Sequence, residues 1–452
     1  MTDTLAPQRR LAAQIRQAIS SGAICGKCHE IPDDCTCPSS SAAQAADPLR
    51  DPAWWEQREE LAAIRAYARA SGASPAATLA VTIMRVLAQT PYTVTTPAIV
   101  SGPGSLNLFA AIVGPSGRGK GAASSASRRG VPFDGGDAFD TIPPGSGEGL
   151  VRAYASKSEA EGALPGDLEW TRPSHAIVFD VAEVSGLAGQ MGRSGSSLSD
   201  QLLKAFVAEP LGFSYAGQNG ITLPEHEYRF AMVAGVQPAA AGALLGDSSA
   251  AVGLPQRFIW ASATDPDAPD FSLDSLHRSP VQLNLPRWSL LPETVGVDDE
   301  IAWMIGQNRQ MTIRGEQGAL DGHRMFAQLK VAAAFSFMRG AKHVTAEDWA
   351  LSDGLMTHSD ITRQSCLDEL ESIRAEENRR RGAARDEVDA AADLERETRI
   401  RNNLVRYWKQ NPGATAPALV RMLAGRDRKE GAAIAEKLAA ENSAFPAYQN
   451  AA

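Results

Sequence analysis

The sequence predicts an α/β protein: a P-loop nucleoside-triphosphatase core with a parallel sheet flanked by helices. That core is extended by an N-terminal zinc knuckle, a helical lid and a C-terminal helix-turn-helix-like domain. Three observations carry the prediction. An apolar run, Leu106 to Val113, ends in Gly114-Pro115-Ser116-Gly117-Arg118-Gly119-Lys120 and leads into a helix of small residues. From Pro91 onward short β-rich runs alternate with helical ones, the texture of a layered α/β fold. A second apolar run, Ala176 to Phe179, is followed by Asp180 and Glu183, and ligands of open parallel sheets lie outside the carboxyl ends of the strands.

Size and composition set the frame. A chain of 452 residues is long enough for two or three domains. Its most apolar stretch, Ala76 to Ala88, is broken by Arg85, and no run approaches the ~20 apolar residues of a membrane helix. Met1 to Arg10 is charged and lacks the apolar centre of a secretory signal. The expectation is a cytoplasmic protein with no membrane partner. A net charge of −9 argues against a chain that coats nucleic acid indiscriminately.

Four of the five cysteines fall between Cys25 and Cys37, as Cys25-Gly-Lys-Cys28 and Cys35-Thr-Cys37. Four thiolates close a tetrahedral Zn2+ shell, and a CxxC turn presents two sulfurs to one ion. The CxC half and the short spacer are unusual for a zinc ribbon, and His29 is an alternative ligand. An unmetallated or redox-sensitive cluster is the rival reading. Thr4 to Ser20 reads as a short helix before the cluster, and Pro38 to Asp47 as a linker. Asp51 to Ala70 and Ser74 to Ala88 have helical periodicity, broken at Ser71-Gly72. Trp54 and Trp55 are expected to anchor the packing of these helices. Cys366 reads as a buried thiol without chemistry.

The loop at 114–120 has the composition phosphate binding requires. Glycines let the backbone wrap closely, successive N–H groups point inward, and the following helix N-terminus adds positive potential. Lys120 is placed to reach the β- and γ-phosphates of ATP. The usual hydroxyl for Mg2+ is missing after Lys120, where Gly121 and then Ala122 stand. Ser124 or Ser125 compensates, or a water takes that place, or the site binds nucleotide without hydrolysing it well. Glu183 is the candidate base orienting the attacking water, with Asp180 as a Mg2+ partner or, alternatively, a strand-end cap. Ala182 stands where an aspartate normally precedes that glutamate. Tyr228 to Val236 is a further strand, ending at Gln237, a polar side chain suited to sensing the γ-phosphate. Arg257, before the strand Phe258 to Ala263, is either a surface charge or an arginine finger for a neighbouring subunit's nucleotide.

Helical patterns continue to the C-terminus. Gly318 to Arg339 is helical, and Thr345-Ala-Glu-Asp348 reads as a capping box for the next helix. Helices after the core resemble a lid, from which Arg324 or Lys330 either reaches the nucleotide or serves packing. Asp368 to Arg401 is a long exposed helix or linker. Asn403 to Trp408, Ala416 to Ala424 and Asp427 to Ala440 are helical periods separated at Asn411-Pro-Gly and Gly425. Between Arg399 and Lys437 nine Arg or Lys face three acids, which marks this segment as the candidate polyanion contact. Arg426, Arg428, Lys429 and Lys437 are the expected DNA-phosphate contacts of a helix-turn-helix module; a solvated face or a protein-docking module are the alternatives. The domain boundaries read as 1–45, helix and zinc knuckle; 46–92, helical region; 93–290, ATPase core; 291–370, lid; and 371–452, charged linker and helix-turn-helix-like domain.

Several segments in order then carry a specific resemblance. They are Gly114-Pro-Ser-Gly-Arg-Gly-Lys-Gly-Ala-Ala, Pro144-Gly-Ser-Gly-Glu-Gly-Leu150, Val181-Ala-Glu-Val-Ser-Gly-Leu187, Gly195-Ser-Ser-Leu-Ser-Asp-Gln-Leu-Leu-Lys204, Val233-Ala-Gly-Val-Gln-Pro238, and the stretch from Gly253-Leu-Pro-Gln-Arg257 through Trp260. Over roughly residues 95–370 the chain resembles the P-loop ATPases of actinobacterial phages, plasmids and integrated elements, found beside or fused to primase–polymerases. That family is itself similar to RecA-like and AAA+ replicative helicases. In its pattern the glycine after the loop lysine and an acid without an adjacent aspartate are both tolerated. The resemblance implies an ATP-driven DNA helicase or translocase acting as a ring, a hexamer by that analogy, in replication of a phage or mobile element. ATP, Mg2+ and structural Zn2+ are the implied cofactors. Single-stranded DNA, other copies of the chain and a primase or polymerase are the implied partners. A nucleotide-switched DNA-binding initiator with slow hydrolysis and an AAA+-type protein remodeller are the alternatives.

Overall fold

A computed structural model describes residues 47–100, 102–159, 168–172, 174–191, 193, 196–213, 221–289, 291–315 and 323–447. The expected zinc ligands Cys25, Cys28, Cys35 and Cys37, with His29 and the helix at Thr4 to Ser20, lie outside the described residues. Among the described residues no group of three or more His, Cys, Asp or Glu is placed to hold a metal ion. Nor is any described helix long and apolar enough to cross a membrane. The chain divides into two compact units, Met1–Leu367 and Asp368–Ala452.

The first unit opens with helices α1 (Pro52–Glu56), α2 (Glu59–Ala70) and α3 (Pro75–Gln89). Ser74 caps α3 and Pro75 occupies its first turn, where a missing N–H costs nothing. Every residue of α3 from Pro75 to Ala88 is buried, as expected of a helix that is apolar but for Thr78, Thr82 and Arg85. It lies across one face of the main sheet, so part of the stretch read as a separate helical region covers the core. Arg85, inside this helix, donates to the carbonyls of Ser127 and Val131 and to Asp137. Trp54 and Trp55 are both buried, and the Trp55 indole donates to the Leu49 carbonyl at 2.8 Å.

A strand pair, β1 (Val94–Val100) and β2 (Gly102–Gly104), precedes β3 (Leu108–Val113), helix α4 (Lys120–Gly130), β4 (Asp140–Ile142) and α5 (Gly147–Tyr154). The hairpin β5 (Ser156–Glu159)–β6 (Leu168–Thr171) leads to β7 (Ala176–Val181), α6 (Val184–Met191) and α7 (Leu198–Val207). A second hairpin, β8 (Leu211–Phe213)–β9 (Ile221–Leu223), leads to β10 (Arg229–Val236), α8 (Gly242–Leu245), α9 (Asp247–Ala251) and β11 (Phe258–Ser262). The core is a five-stranded sheet in the order β11-β3-β10-β7-β4, with every pairing parallel. Parallel neighbours need crossover connections, and the helices between strands supply them. All six residues of β3 and all eight of β10 are buried, which is why they read as unbroken apolar runs.

At the edge where these strands begin, buried cations replace carboxylate partners with backbone carbonyls. Arg229 donates to the carbonyls of Thr90, Pro91 and Val94, and burial lowers its pKa to about 9. Lys330 donates to the carbonyls of Asn107 and Phe206 at 2.6 Å each. Its ammonium lies over the Phe206 and Phe326 rings, and burial holds its pKa well below the ordinary lysine value. Lys330 is therefore a tie between elements at the sheet's far edge, which excludes it as a nucleotide contact in this conformation. Arg324 pairs with Asp360 and Asp353.

One of these cations, Lys330, also acts on His323. Burial first, then Arg257, Lys330 and Arg309, bring its pKa from 6.5 down to about 4. Since the folded value lies below the unfolded one, the unfolded chain takes up the proton first as pH falls. Stability is expected to drop between pH 6.5 and about 4, by at most roughly 3 kcal/mol for this residue. His323→Leu should flatten the urea midpoint over that window; an unchanged acid slope would remove His323 as its cause.

The remainder of the unit is β12 (Glu293–Thr294), β13 (Gly296–Val297), α10 (Asp299–Ile313), α11 (Arg324–Met338), β14 (His343–Val344) and the first part of α12 (Ala346–Gln410). The expected cap at Thr345 is present: its amide and hydroxyl both bond the Asp348 carboxylate, at 2.9 and 3.0 Å. Asp348 also pairs with Arg58 and Arg339. Cys366 is buried.

In the second unit α12 runs unbroken through the charged stretch to Gln410, and α13 (Ala416–Arg421) and α14 (Arg428–Glu441) follow. These helices close on Ile400, Leu404, Leu419, Leu423, Ile434, Leu438 and Phe445. Arg426, Arg428, Lys429 and Lys437 are all exposed. Part of the local positive charge is balanced within the unit, by Lys437 with Glu397, Arg399 with Asp427 and Arg401 with Glu441.

Candidate functional site

The site forms where β3, β10 and β7 end. After Val113 the chain turns through Gly114–Gly119 and enters α4 at Lys120. Gly119 is the helix N-cap at φ 86° and Gly117 lies at φ 74°; both are left-handed values that strain any side chain with a Cβ. The Gly114 amide donates to the Val236 carbonyl at 2.9 Å, which pins the loop to the end of β10.

Strand order decides which groups meet. β10 lies between the loop strand β3 and the acid strand β7, so Lys120 must cross the end of β10 to reach Glu183. It does so over Gly235. A Cβ added there would stand 2.2 Å from the Ala182 carbonyl oxygen and 3.5 Å from Lys120 Cδ. The bare backbone lets the ammonium of Lys120 sit 3.0 Å from Glu183 Oε1. Lys120 also donates to the carbonyls of Gly114 and Pro115, at 2.9 and 3.4 Å. Gly235→Ala is expected to push β7 from β10 at this point. It should cost roughly 1–3 kcal/mol, the range of overpacked cores, and abolish nucleotide binding, as urea melts and nucleotide titration would read. A variant that binds normally would show that this approach is dispensable.

Around the pair lies a cleft of about 520 Å3, lined by the loop from Gly117 to Ala122, by Ser124 and Arg128 of α4, and by Asp180 to Glu183. Arg128 stands 3.7 Å from Asp180. Of the two serines considered for the metal, Ser124 lines this cleft and Ser125 is not among its lining residues. A carboxylate, a hydroxyl and the loop amides are oxygen and N–H groups of the kind a Mg2+–phosphate complex uses. The sequence-predicted loop, Lys120, Asp180 and Glu183 therefore come together.

A second cleft, of about 300 Å3, opens beside Gly114-Pro115. Its walls include Leu49, Pro75 and Ile361, with Asp47, Thr362 and His358 at polar positions. His358 Nδ1 lies 2.8 Å from Asp47. Burial works to raise the Asp47 pKa, but the His358 hydrogen bond and charge hold it below the ordinary carboxylate value. Arg50, Arg69 and Asp265 also line it, so the cleft is mixed in character, with polar and charged groups beside its apolar wall. The wall is hard to see in the sequence because its residues come from six separate segments with no shared motif.

Gln237 and Arg257 are placed differently. Gln237 directly follows Val236, whose carbonyl holds the loop, yet it lines neither cleft. Arg257 is 8% exposed, so it is not a surface charge. It lies where β11 begins, at the opposite strand ends from the P-loop, with Nη1 donating to the carbonyls of Gly253 and Val252 at 2.7 and 3.3 Å and the guanidinium over Phe206. Burial lowers its pKa. Reaching a neighbouring subunit would require it to leave these partners.

The geometry thus defines an α/β protein with a phosphate-type loop facing a carboxylate at the end of a parallel sheet. Comparison of the chain with protein-family models and with curated proteins returns no match.

Proposed function

We propose that the chain is a P-loop ATPase whose turnover drives movement on DNA, as a helicase or translocase in replication of a phage or mobile element. The observation that carries it is the meeting of Lys120 and Glu183 across the bare backbone of Gly235. A lysine that neutralises phosphate charge and a carboxylate that orients water are the two groups phosphoryl transfer needs at one place. The loop amides would hold the phosphates, and the cleft beside Gly114-Pro115 would take the nucleoside. Mg2+, when bound with the nucleotide, supplies charge neutralisation across the phosphates. Arg257 and Gln237 belong to this reading as finger and sensor, Cys25, Cys28, Cys35 and Cys37 as ligands of a structural zinc, and the helices at 291–370 as a lid. The exposed basic residues Arg426, Arg428, Lys429 and Lys437 are the DNA-facing group, and a hexameric ring is the expected assembly, with a primase or polymerase as a partner.

The bare positions Gly121 and Ala182 favour a second reading, a nucleotide-switched DNA-binding initiator with slow hydrolysis. Turnover measured with and without single-stranded DNA, alongside imaging of the protein with ATP, separates the two. Closed rings on DNA with DNA-stimulated turnover support the motor. Slow, DNA-independent turnover with DNA binding supports the switch. Absence of any DNA binding would leave a protein remodeller.

A further inference from the structure

We infer that this chain holds the divalent cation of its nucleotide through the cation's water shell, with Asp180 and Ser124 as acceptors, and not by direct coordination. The inference rests on the nucleotide-binding reading above. A hydroxyl directly after the loop lysine and a carboxylate directly before the glutamate would ordinarily serve the metal. Both places are bare here, at Gly121 and Ala182.

The missing groups recur further from the loop mouth, and on both elements in the same sense. Ser124 follows Gly121 by three helical residues, about 4.5 Å along the axis. Asp180 precedes Ala182 by two strand residues, roughly 6.6 Å. The two still face one space: both line the main cleft, and both line a recess of about 20 Å3 shared with Arg85, Arg128 and Thr141. A recess of that size takes about one water. Groups set back by several ångströms are out of range of a direct Mg2+–oxygen bond of about 2.0–2.1 Å, but within range through one water. Mg2+ gives up its waters reluctantly, so a site that leaves them in place loses little. Arg128, 3.7 Å from Asp180, offsets part of the carboxylate charge, which suits holding a hydrated ion over stripping a bare one.

The full chain is titrated with Mg2+–ATP and with exchange-inert tetraamminecobalt(III)–ATP, each in competition with a fluorescent nucleotide. The ammine ligands fill the positions a protein side chain would otherwise take, and no turnover is needed for the readout. The expected result is binding of the two complexes within about threefold of each other, because water-mediated contacts approach direct ones in strength. Asp180→Asn should weaken both alike. Gly121→Ser, where an added Cβ meets nothing within 4 Å, should create a preference for Mg2+–ATP of about tenfold by supplying a direct oxygen. A wild-type preference of that size for Mg2+–ATP overturns the inference while leaving nucleotide binding intact. So does an Asp180→Asn effect confined to Mg2+–ATP, or a Gly121→Ser variant with no new preference. Failure of Mg2+–ATP itself to bind would remove the ATPase reading and the inference together.

Discussion

Lys120→Ala is expected to weaken nucleotide binding by roughly 10- to 100-fold, the equivalent of a charge-assisted hydrogen bond to phosphate. Turnover should fall by a further ~100-fold or more, as when a preorganised group facing developing charge is removed. The fold should survive, because among the described residues Lys120 bonds only Glu183 and the carbonyls of its own loop. Equilibrium titration with a fluorescent nucleotide, steady-state turnover and a thermal melt measure the three quantities separately. Normal binding in a folded Lys120→Ala protein would remove the loop from the nucleotide site.

Glu183→Gln should separate binding from chemistry. Hydrolysis is expected to drop by at least ~100-fold, the usual contribution of a positioned general base. Binding should be unchanged or tighter. Glu183 lies 3.0 Å from the ammonium that a bound phosphate would claim. Glu183 is 38% exposed, and an ion pair of that kind is worth about 0.2–1 kcal/mol, so releasing Lys120 should improve affinity by no more than about fivefold. Retention of radiolabelled ATP on the variant, with rates measured in parallel, gives both numbers. Wild-type turnover would remove Glu183 as the base, and weaker binding would show that it does not compete for Lys120.

The core was legible where burial leaves a pattern. β3, β7 and β10 are apolar because both faces of the sheet are covered, and the loop and the acid stand at their ends for the reader to find. Succession in the chain does not give order in the sheet, however, so the position of β10 between lysine and glutamate was invisible. Gly235, alone in an apolar run, was the available signal, since a glycine in a strand marks close approach of another backbone. The depth of α3 was half legible: a largely apolar helix must be buried, but nothing in it names what it lies against. The inward turn of Arg257 was not legible, because its partners are carbonyls, which carry no sequence signature. Of the two readings of Asp368 to Arg401, the long exposed helix is the one formed, but its continuity with the helical period at Asn403 to Trp408 was not legible, for the opposite reason. Its exposed middle has no apolar face, so periodicity falls silent and resumes near Asn403, imitating a new element.

β10 is in register with β3 from Ala231 to Val236 and with β7 from Arg229 to Ala234. Six paired residues on each side forbid the phosphate loop and the acid from sliding past one another. The sheet is then a stator. On the proposed ATPase reading, any stroke that follows release of phosphate would have to leave through Lys120, Glu183 and the helices they touch, while the strands that aim them stay still.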